Sequence, residues 1–418
     1  MMTIVSDRGT IIERKGHAAV LPVKVCMHVV GVAHTEVRVV RAARALADAG
    51  MSVSIVDVEG GLARMVGEAM PGVSVRHVRM PDAFGFSRLK QRTFTRAVRL
   101  FVGSVRMLMR TQAEVYHAHN VAAFPACYVA ARLRGKPLIF EAHELPLADL
   151  HPSEMGRSRR VMNKLLAVLV PVMMAYCAGV IGVSPPIVEE MKRRYSISEV
   201  LLVRNVPCYR AVSRSDCLRQ HLGLGSSVRI ALYQGNLQPD RGLDLLVRAA
   251  AFLERDIVVV MMGRDRVGTR GRLEALIEEV GVGERVRVLP PVPYEELLDW
   301  TASADVGLTV IPLDYTLNMR MCLPNKFFEY LMAGLPVLSS PLDAIAEIIS
   351  TYKVGRIVHS LEPADIGAAI NAMLADGEGL AVMRQNALKV AREVFHWEKE
   401  GRKLIGLYED VLARQKVK

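Results

Sequence analysis

The sequence predicts an α/β protein built from two doubly wound, Rossmann-like parallel-sheet domains that face a common cleft. Its 418 residues exceed the roughly 250 to 300 residues at which a single hydrophobic core usually stops growing. Short β-rich apolar runs alternate with helical patterns of about ten to twenty residues, which is the order of βαβ units. The alternation begins again after residue 206, so two separate sheets are predicted.

The first half contains the strand patterns VKVCMHVV, SVSIVDV, VYHAH, LIFE and GVIGV, with helical patterns at 36–49, 121–134 and 156–176. Residues 165–183 carry no charge and approach the roughly 20 residues that span a bilayer. Pro171 and Gly179 interrupt this run, and Ser184-Pro-Pro starts another helix. A core helix followed by a buried strand therefore explains the run better than a membrane span does.

The second half contains the strand patterns VRIALYQ, DIVVVMM, RVRVL, VGLTVI and PVLSS, each followed by a helical pattern. The closing stretch FHWEKEGRKLIGLYEDVL has amphipathic spacing and no strand after it, which suggests a helix that packs back across the first domain. The predicted divisions are an N-terminal extension at 1–22, a first domain at 23–205, a second domain at 206–395 and a closing helix at 396–418.

Composition favours a globular protein of a reducing compartment. Apolar residues make up 51% of the chain and charged residues 23%, which suits large buried cores. The six cysteines show no CxxC spacing and mostly lie in apolar runs, which argues against zinc and against disulfides. Residues 1–22 lack the apolar segment of a signal peptide. We therefore expect a cytoplasmic protein.

The net charge of +11 is concentrated in the first half of the chain, where residues 1–205 hold 28 Lys and Arg against 16 Asp and Glu. Residues 86–112 contain seven basic residues, no acidic one, and apolar residues at helical spacing. This pattern resembles an interfacial helix on an anionic membrane and suggests a peripheral position at the inner face of the plasma membrane. A charged acceptor or a merely solvated face would also explain it. Nucleic acid is disfavoured because the segment lacks interleaved stacking aromatics.

Ligands of open parallel sheets bind outside the carboxyl ends of the strands, where helix N-termini offer free N–H groups to anions. The turn after the first strand, GVAHTE, lacks the GxGxxG pattern of dinucleotide-binding proteins, so a dehydrogenase is not expected. The stretch MCLPNKFFEYLMAGLPVLSS predicts a short helix that Pro324 begins and Gly334 ends. Asn325 and Glu329 share one face of that helix.

Eight stretches, in their order and spacing, carry a family resemblance: HTEVRVVRAARALADAG (34–50), VYHAHN (115–120), IFEAHEL (139–145), GVIGVSPPIVEEM (179–191), LVRNVP (202–207), LYQGNLQPDRGLDLLVRAA (232–250), RVRVLPPVPYEELLDWTASADVGL (285–308) and LPNKFFEYLMAGLPVL (323–338). They resemble bacterial glycosyltransferases of family 4, which have the two-Rossmann GT-B architecture. The resemblance implies that the first domain holds the acceptor and the second a nucleotide-sugar. It also implies transfer with retention at the anomeric carbon and without a required metal or other cofactor.

The resemblance assigns roles to residues of the second half. It implies that Glu329 accepts hydrogen bonds from the donor ribose. The simpler alternative is that Glu329 is a solvated carboxylate on the helix surface. Arg241 matches the family's cation on the diphosphate, where it would stabilise the charge that grows on the leaving oxygen. The remaining implied donor-binding residues are Gly31 in the first half and, in the second half, Gly235, Asn236, Leu289, Pro324, Asn325 and Lys326.

Two positions depart from the family pattern. Met321 stands eight residues before Glu329, where relatives often carry a second Glu that touches the donor sugar. Backbone N–H groups of MCLPN, or nearby Asn318, would have to replace that contact. Asn236 follows Gly235 where many relatives carry Arg.

His143, directly after the LIFE strand, matches the family's active-site histidine, with His34, His117 and His119 as competing candidates. Glu144 beside it would either orient the imidazole or cap the next helix. Metal binding is not expected, because Asp57-Val-Glu59 ends an early strand and the HAH segment at 117–119 has no evident third ligand.

The predicted function is a retaining hexosyltransferase that moves a sugar from a UDP- or GDP-sugar to a glycan, lipid-linked or glycoconjugate acceptor, as in polysaccharide biosynthesis. Two alternatives stay open. A nucleotide-sugar 2-epimerase shares the fold but needs acids and bases on both faces of the sugar ring. The second alternative is a catalytically inactive module that binds a nucleotide-sugar. It stays open because Met321 stands where relatives often carry a Glu that touches the donor sugar.

Overall fold

The computed structural model describes residues 22–60, 71–80, 93–148, 157–265, 267–313 and 316–416. Within them the chain forms two parallel sheets flanked by helices, as the repeated βαβ alternation predicts. The N-terminal extension lies outside the described residues apart from Pro22, and so do residues 86–92 of the basic segment.

The first sheet has seven strands in the order β3-β2-β1-β4-β5-β6-β7, and its described pairs are all parallel. The strands are β1 (Lys24–Val29), β2 (Ser52–Gly60), β3 (Val73–Met80), β4 (Val115–His119), β5 (Leu138–Glu141), β6 (Gly179–Gly182) and β7 (Leu201–Leu202). The order reverses between β1 and β4, and such a switch point opens a crevice at the carboxyl edge of a sheet.

The described part of the first half contains five α-helices between these strands: α1 (Val37–Asp48), α2 (Thr93–Arg110), α3 (Asn120–Arg134), α4 (Arg157–Tyr176) and α5 (Pro185–Tyr195). Helices α2 to α5 contribute side chains to one core cluster, and α1 contributes to the cluster on the opposite face. Residues 165–183 form the end of α4 followed by β6, so the prediction of a helix and a strand is confirmed.

The second sheet has six strands in the order β10-β9-β8-β11-β12-β13. They are β8 (Arg229–Gln234), β9 (Ile257–Met262), β10 (Val286–Leu289), β11 (Val306–Thr309), β12 (Val337–Ser339) and β13 (Gly355–Ile357). Its helices are α6 (Cys217–Leu222), α7 (Leu243–Ala249), α8 (Thr269–Val280), α9 (Leu297–Ala302), α10 (Leu317–Met321), α11 (Asn325–Met332), α12 (Asp343–Tyr352), α13 (Pro363–Ala375) and α14 (Gly377–Glu393). Every residue of β9 is buried, as expected of a central strand with helices on both faces.

The last helix, α15 (Trp397–Lys416), returns to the first sheet. Trp397, Leu404 and Tyr408 share a core cluster with Val25 of β1 and Leu46 of α1. The apolar stripe of the closing segment is thereby buried against the first half of the chain.

Strands β3, β7 and β13 were not predicted from the sequence. β3 lies at the sheet edge, and most of its residues are partly or fully exposed, including Arg76, His77 and Arg79. Charged residues on an edge strand hide the apolar alternation by which strands are recognised. β7 and β13 have two and three residues, too few to show a pattern.

Among the described residues, no single helix has the length and apolar character needed to cross a membrane, although the bent pair of α13 with the stretch Gly377–Gln415 meets that test by length and composition.

Candidate active site between the two sheets

The carboxyl edges of the two sheets meet through hydrogen bonds between residues that follow strands of the first sheet and helix α10 of the second half. The backbone N–H of Leu145, after β5, donates to Oδ1 of Asn318 at 3.0 Å. Ser184, after β6, donates to the carbonyl oxygen of Met321 at 2.6 Å. These contacts place the loop that carries His143 directly opposite α10 and α11.

Glu329 is held at this edge by the last residue of β8. The side-chain amide of Gln234 donates to Oε2 of Glu329 at 2.7 Å, and its own oxygen accepts from Thr301 at 2.6 Å. Glu329 is only 7% exposed, so the interpretation as a solvated helix carboxylate is wrong. Burial raises the pKa of Glu329, while Gln234, Arg41 and Lys326 partly offset that effect.

Helix α11 begins and ends as the sequence predicts. Pro324 immediately precedes its first residue, Asn325, whose side-chain oxygen accepts from the Asn205 amide at 2.7 Å. Gly334 follows the last turn with a φ of 65°, a left-handed conformation that suits glycine. The hydroxyl of Tyr330 bonds to the backbone of β8, accepting from the N–H of Gln234 at 3.0 Å. The helix is therefore fixed against the strand whose end contacts Glu329.

Lys326 and Arg241 place two basic side chains beside the turn after β8. The Lys326 Nζ atom is buried and lies 3.8 Å from the ring centroid of Tyr233, and it has no hydrogen-bond partner among the residues that the structure describes. Burial holds the pKa of Lys326 well below its ordinary value, and the nearby charge of Arg241 lowers it further. Arg241 is about a quarter exposed, donates to the Met319 sulfur at 3.1 Å and lies 3.7 Å from Asp240.

The turn at Gly235 and Asn236 packs tightly against a second turn. A Cβ on Gly263, directly after β9, would lie 1.6 Å from the carbonyl oxygen of Gly235, so only glycine fits there. The N–H of Gly263 donates to the carbonyl of Leu289 at the end of β10. Gly263 was missed in the sequence, although it follows the DIVVVMM strand pattern directly.

Met321 and Asn318 take part in the contact between the two halves. The Met321 side chain packs against the core cluster of the first half, and its carbonyl accepts from Ser184. The Asn318 side-chain oxygen is occupied by Leu145. The departure from the family pattern at Met321 therefore places an apolar side chain in the interface between the two halves.

His143 belongs to a cluster of buried titratable groups. Its Nε2 lies 3.3 Å from Glu141 and 3.2 Å from Nδ1 of His119. His117 lies 3.4 Å from the other oxygen of Glu141, and the Arg38 guanidinium contacts the same carboxylate. The carboxylate that contacts His143 thus belongs to Glu141, a residue that the sequence analysis did not single out.

The charges of this cluster are set by burial and by Glu141. Burial raises the pKa of Glu141, but Arg38 and the two histidines His117 and His119 outweigh it and hold that pKa well below its ordinary value. Burial lowers the pKa of His143, although Glu141 partly offsets the effect. His143 is therefore a neutral imidazole beside an ionised carboxylate at neutral pH.

The HAH segment does have a third group that can ligate a metal. Ligand atoms of His117, His119 and Glu141 lie within 4.8 Å of one another, which corrects the expectation that no third ligand is present. However, Arg38 already pairs with Glu141, and a divalent cation there would lie beside a fixed positive charge. The geometry thus favours an ion-pair network.

The turn after β1 contributes Gly31, whose carbonyl accepts from the N–H of Val58. The neighbouring Asp57 accepts from the N–H of Ala33 at 3.0 Å and lies 2.6 Å from His77. Asp57 is thus occupied in holding this turn. His34, one of the competing histidines, lies in the 3₁₀ turn that follows Gly31.

Both halves of the chain match family models of known proteins. Residues 35–205 match the family described as Glycosyltransferase Family 4, and residues 215–390 match the family described as Glycosyl transferases group 1. The chain belongs to these glycosyltransferases, and its two sheets have their GT-B architecture.

Relatives and solved structures agree with this placement. A D-inositol 3-phosphate glycosyltransferase of Catenulispora acidiphila is 26% identical over 406 residues, which cover 90% of each chain. Sucrose-phosphate synthase from Thermosynechococcus elongatus superposes with a TM-score of 0.76 at 18% identity, covering 94% of this chain and 100% of that one. Anabaena HepE in complex with UDP superposes with a TM-score of 0.70 at 15% identity, covering 93% and 99%.

Proposed function

We propose that this protein is a retaining hexosyltransferase that takes its sugar from a UDP- or GDP-sugar. The observation that carries the proposal is the buried Glu329, fixed by Gln234 at the end of β8 and accompanied by the basic side chains of Lys326 and Arg241. A carboxylate with two basic side chains nearby suits a ligand that offers hydroxyl groups and a diphosphate. The UDP bound to the structurally similar HepE supports the same choice of ligand.

In this proposal Glu329 accepts hydrogen bonds from the ribose hydroxyls. Arg241 and Lys326 contact the diphosphate, and Gly235 lets the backbone approach it closely. As the bond from the sugar to the phosphate breaks, negative charge grows on the departing oxygen. Fixed cations stabilise that charge more in the transition state than in the ground state, so this proposal requires no metal ion for the step.

Lys326 compensates for Asn236 in this proposal. Relatives that carry Arg after the turn glycine have a second cation there, and this chain has none at that position. A Cβ on Gly235 would lie 3.9 Å from Cδ of Lys326, so the Lys326 side chain passes beside the same turn.

His143 meets the transferred sugar from the opposite side of the cleft. Because Glu141 is ionised and can only accept, we assign the proton of His143 to Nε2, which faces Glu141. Nδ1 is then an acceptor for a sugar hydroxyl. Glu141 and Arg38 position this imidazole and do not touch the substrate.

The acceptor is proposed to be a phosphorylated or lipid-linked glycan on the basic first half, in a cytoplasmic protein at the membrane surface. The relatives named D-inositol 3-phosphate glycosyltransferase make that compound the first soluble acceptor to test. A phosphate on the acceptor agrees with the excess of basic residues before position 206.

A nucleotide screen followed by product analysis tests the proposal. We expect UDP or GDP to raise the Tm of the purified full chain, because a ligand that binds only the folded state stabilises it. A donor with the matching nucleotide should then yield a product whose anomeric configuration, read by NMR, is that of the donor. Interconversion of the donor sugar without acceptor would instead show an epimerase, and nucleotide binding without turnover would show an inactive module.

A further inference from the structure

Helix α4 exposes an apolar stripe that the fold does not bury. Val161, Leu165, Val168 and Val172 are 69%, 53%, 69% and 59% exposed. Their spacing of three and four residues places them on one face of the helix. The sequence predicted a core helix here, and this face contradicts that part of the prediction.

Helix α2 exposes a second apolar patch on the same side of the first sheet. Val98, Phe101 and Val102 are exposed, while Leu108, about two turns further along α2, is buried in the core cluster shared with α3 and α4. Helix α3 contacts both α2 and α4, so the two exposed faces flank a single helix. Isolated exposed apolar residues are ordinary, but neighbouring stripes on two helices mark a contact surface.

The same helices carry positive charge without any acidic residue. Neither α2 nor α4 contains Asp or Glu. The exposed basic residues are Arg99, Arg106 and Arg110 on α2 and Arg160 and Lys164 on α4. Apolar stripes beside basic side chains complement a surface that has an acyl interior and anionic headgroups.

This charge pattern decides between the candidate occupants. A second copy of the chain would place basic side chains against identical basic side chains across a two-fold axis. Nucleic acid would use the positive charge but not the exposed aliphatic stripe. An anionic bilayer uses both.

The connections of the helices relate this surface to the cleft. The chain leaves the carboxyl end of β5, passes His143 and enters α4, and α2 likewise follows β3. In a parallel sheet, the first turn of each such helix lies near the carboxyl edge. Arg160, in the first turn, is therefore at the cleft end of α4, where an acceptor that emerges from a membrane would enter.

We propose that the exposed faces of α2 and α4 form a docking surface that holds the first domain on an anionic membrane with the cleft open toward the lipid headgroups. This surface specifies the membrane position given in the proposed function, and attachment itself needs no glycosyl transfer. Only the use of a lipid-linked acceptor rests on that function.

Sedimentation of the full chain with vesicles tests the proposal. We expect binding to vesicles of phosphatidylcholine with phosphatidylglycerol, weaker binding as salt rises, and little binding to phosphatidylcholine alone. The double variant Val168→Glu and Val172→Glu should lower the vesicle partition coefficient at least about ten-fold, because it charges the apolar stripe. The matched control is Val382→Glu, at a position of α14 where the valine is 57% exposed. This variant should bind vesicles like the wild type.

A second variant separates charge from apolar contact. The double variant Arg99→Gln and Lys164→Gln should weaken vesicle binding most at low salt. Circular dichroism and Tm check that each variant is folded.

Wild type that stays in the supernatant with anionic vesicles, or a Val168→Glu and Val172→Glu variant that binds like wild type, would overturn the proposal. A dimer that the Val168→Glu and Val172→Glu variant abolishes would instead make this face a contact between copies. UDP- or GDP-induced stabilisation should be equal in all variants, which separates this test from that of the glycosyltransferase activity.

Discussion

Gln234 and Glu329 are joined by a hydrogen bond of 2.7 Å between the end of β8 and the second turn of α11. The Gln234 oxygen accepts from Thr301, so its amide group faces Glu329 as a donor. The carboxylate is thus fixed in a buried position at the carboxyl edge of the second sheet.

Glu329→Gln should weaken donor binding and leave the fold intact. A hydrogen bond to a charged group contributes roughly 1.5 to 3 kcal/mol, so the Kd for the donor nucleotide should rise about ten-fold or more. Since burial raises the pKa of Glu329 in the folded protein, the neutral amide should not lower the free energy of unfolding at neutral pH. Calorimetric titration with nucleotide and urea unfolding measure the two effects.

The control for that experiment is Glu347→Gln, at an exposed position on α12. It should leave the donor Kd unchanged. An unchanged Kd in Glu329→Gln itself would contradict the assignment of Glu329 to the ribose.

Arg241→Ala should lower kcat/KM for transfer by about 10²-fold or more, because a fixed cation at the leaving diphosphate acts mainly in the transition state. Wild type treated with EDTA should stay largely active. Initial rates with saturating acceptor measure both effects. The matched control is Arg248→Ala, which removes an exposed arginine of α7 that pairs with Glu279. Activity that EDTA abolishes and magnesium restores would assign the neutralising role to an ion.

Lys326 should take up a proton when the donor binds. Its pKa is far below the ordinary value in the free protein because the ammonium is buried and lies near Arg241. A bound diphosphate favours the charged form and raises that pKa, so donor affinity should fall as pH rises above the pKa of the free protein. Calorimetry in buffers of different ionisation enthalpy measures the uptake directly.

Lys326→Met should abolish the proton uptake, whereas Lys389→Met, at an exposed position on α14, should retain it. The Lys326→Met variant should also be at least as stable as wild type at neutral pH. Between the lowered pKa and the ordinary one, the unfolded state binds a proton that the folded state does not, and this favours unfolding of the wild type. Equal uptake by the wild type and Lys326→Met would remove Lys326 from the diphosphate site.

The sequence predicts the sheets more completely than the site. Buried parallel strands such as IVVVMM are continuous apolar runs, so β9 is evident, whereas the charged edge strand β3 is not. Glu329 was identified because it lies on a short helix with clear ends and matches the family pattern there. Glu141 was not, because its partner Arg38 is 103 positions away, and spacing along the chain cannot show such a contact.

Helix α4 shows a different limit. Its apolar residues surround much of the helix, so composition suggests a core element and does not indicate which face meets the sheet. Only the fold shows that Met173 and Met174 pack inward while Val168 and Val172 are exposed.

His143→Ala should lower kcat with little change in the Kd for UDP or GDP, because the imidazole is assigned to the transferred sugar and not to the nucleotide. Glu141→Gln should lower kcat less, since it removes only the orientation of the ring. The Glu141→Gln variant should also shift the pH profile of kcat toward lower pH, because the carboxylate raises the pKa of His143. An unchanged pH profile would reduce Glu141 to a purely structural role.

The buried His28 of β1 should make the fold sensitive to acid. Its Nδ1 lies 2.7 Å from the carbonyl oxygen of Val56, and burial lowers its pKa from 6.5 to about 4, with the Val56 contact opposing that change. Between these values the unfolded state binds a proton that the folded state does not, so the free energy of unfolding falls as pH is lowered through this window. The total loss from this residue is roughly 3 kcal/mol, since one pKa unit corresponds to about 1.4 kcal/mol. Urea unfolding of wild type and His28→Gln at a series of pH values measures this loss.

The free energy of unfolding should fall less in His28→Gln than in the wild type as pH is lowered. Part of the loss should remain in the variant, because the pKa of His117 is also lowered to about 4, chiefly by burial. The control His359→Gln, at an exposed position after β13, should follow the wild type, and a His28→Gln curve parallel to the wild type would show that His28 does not contribute.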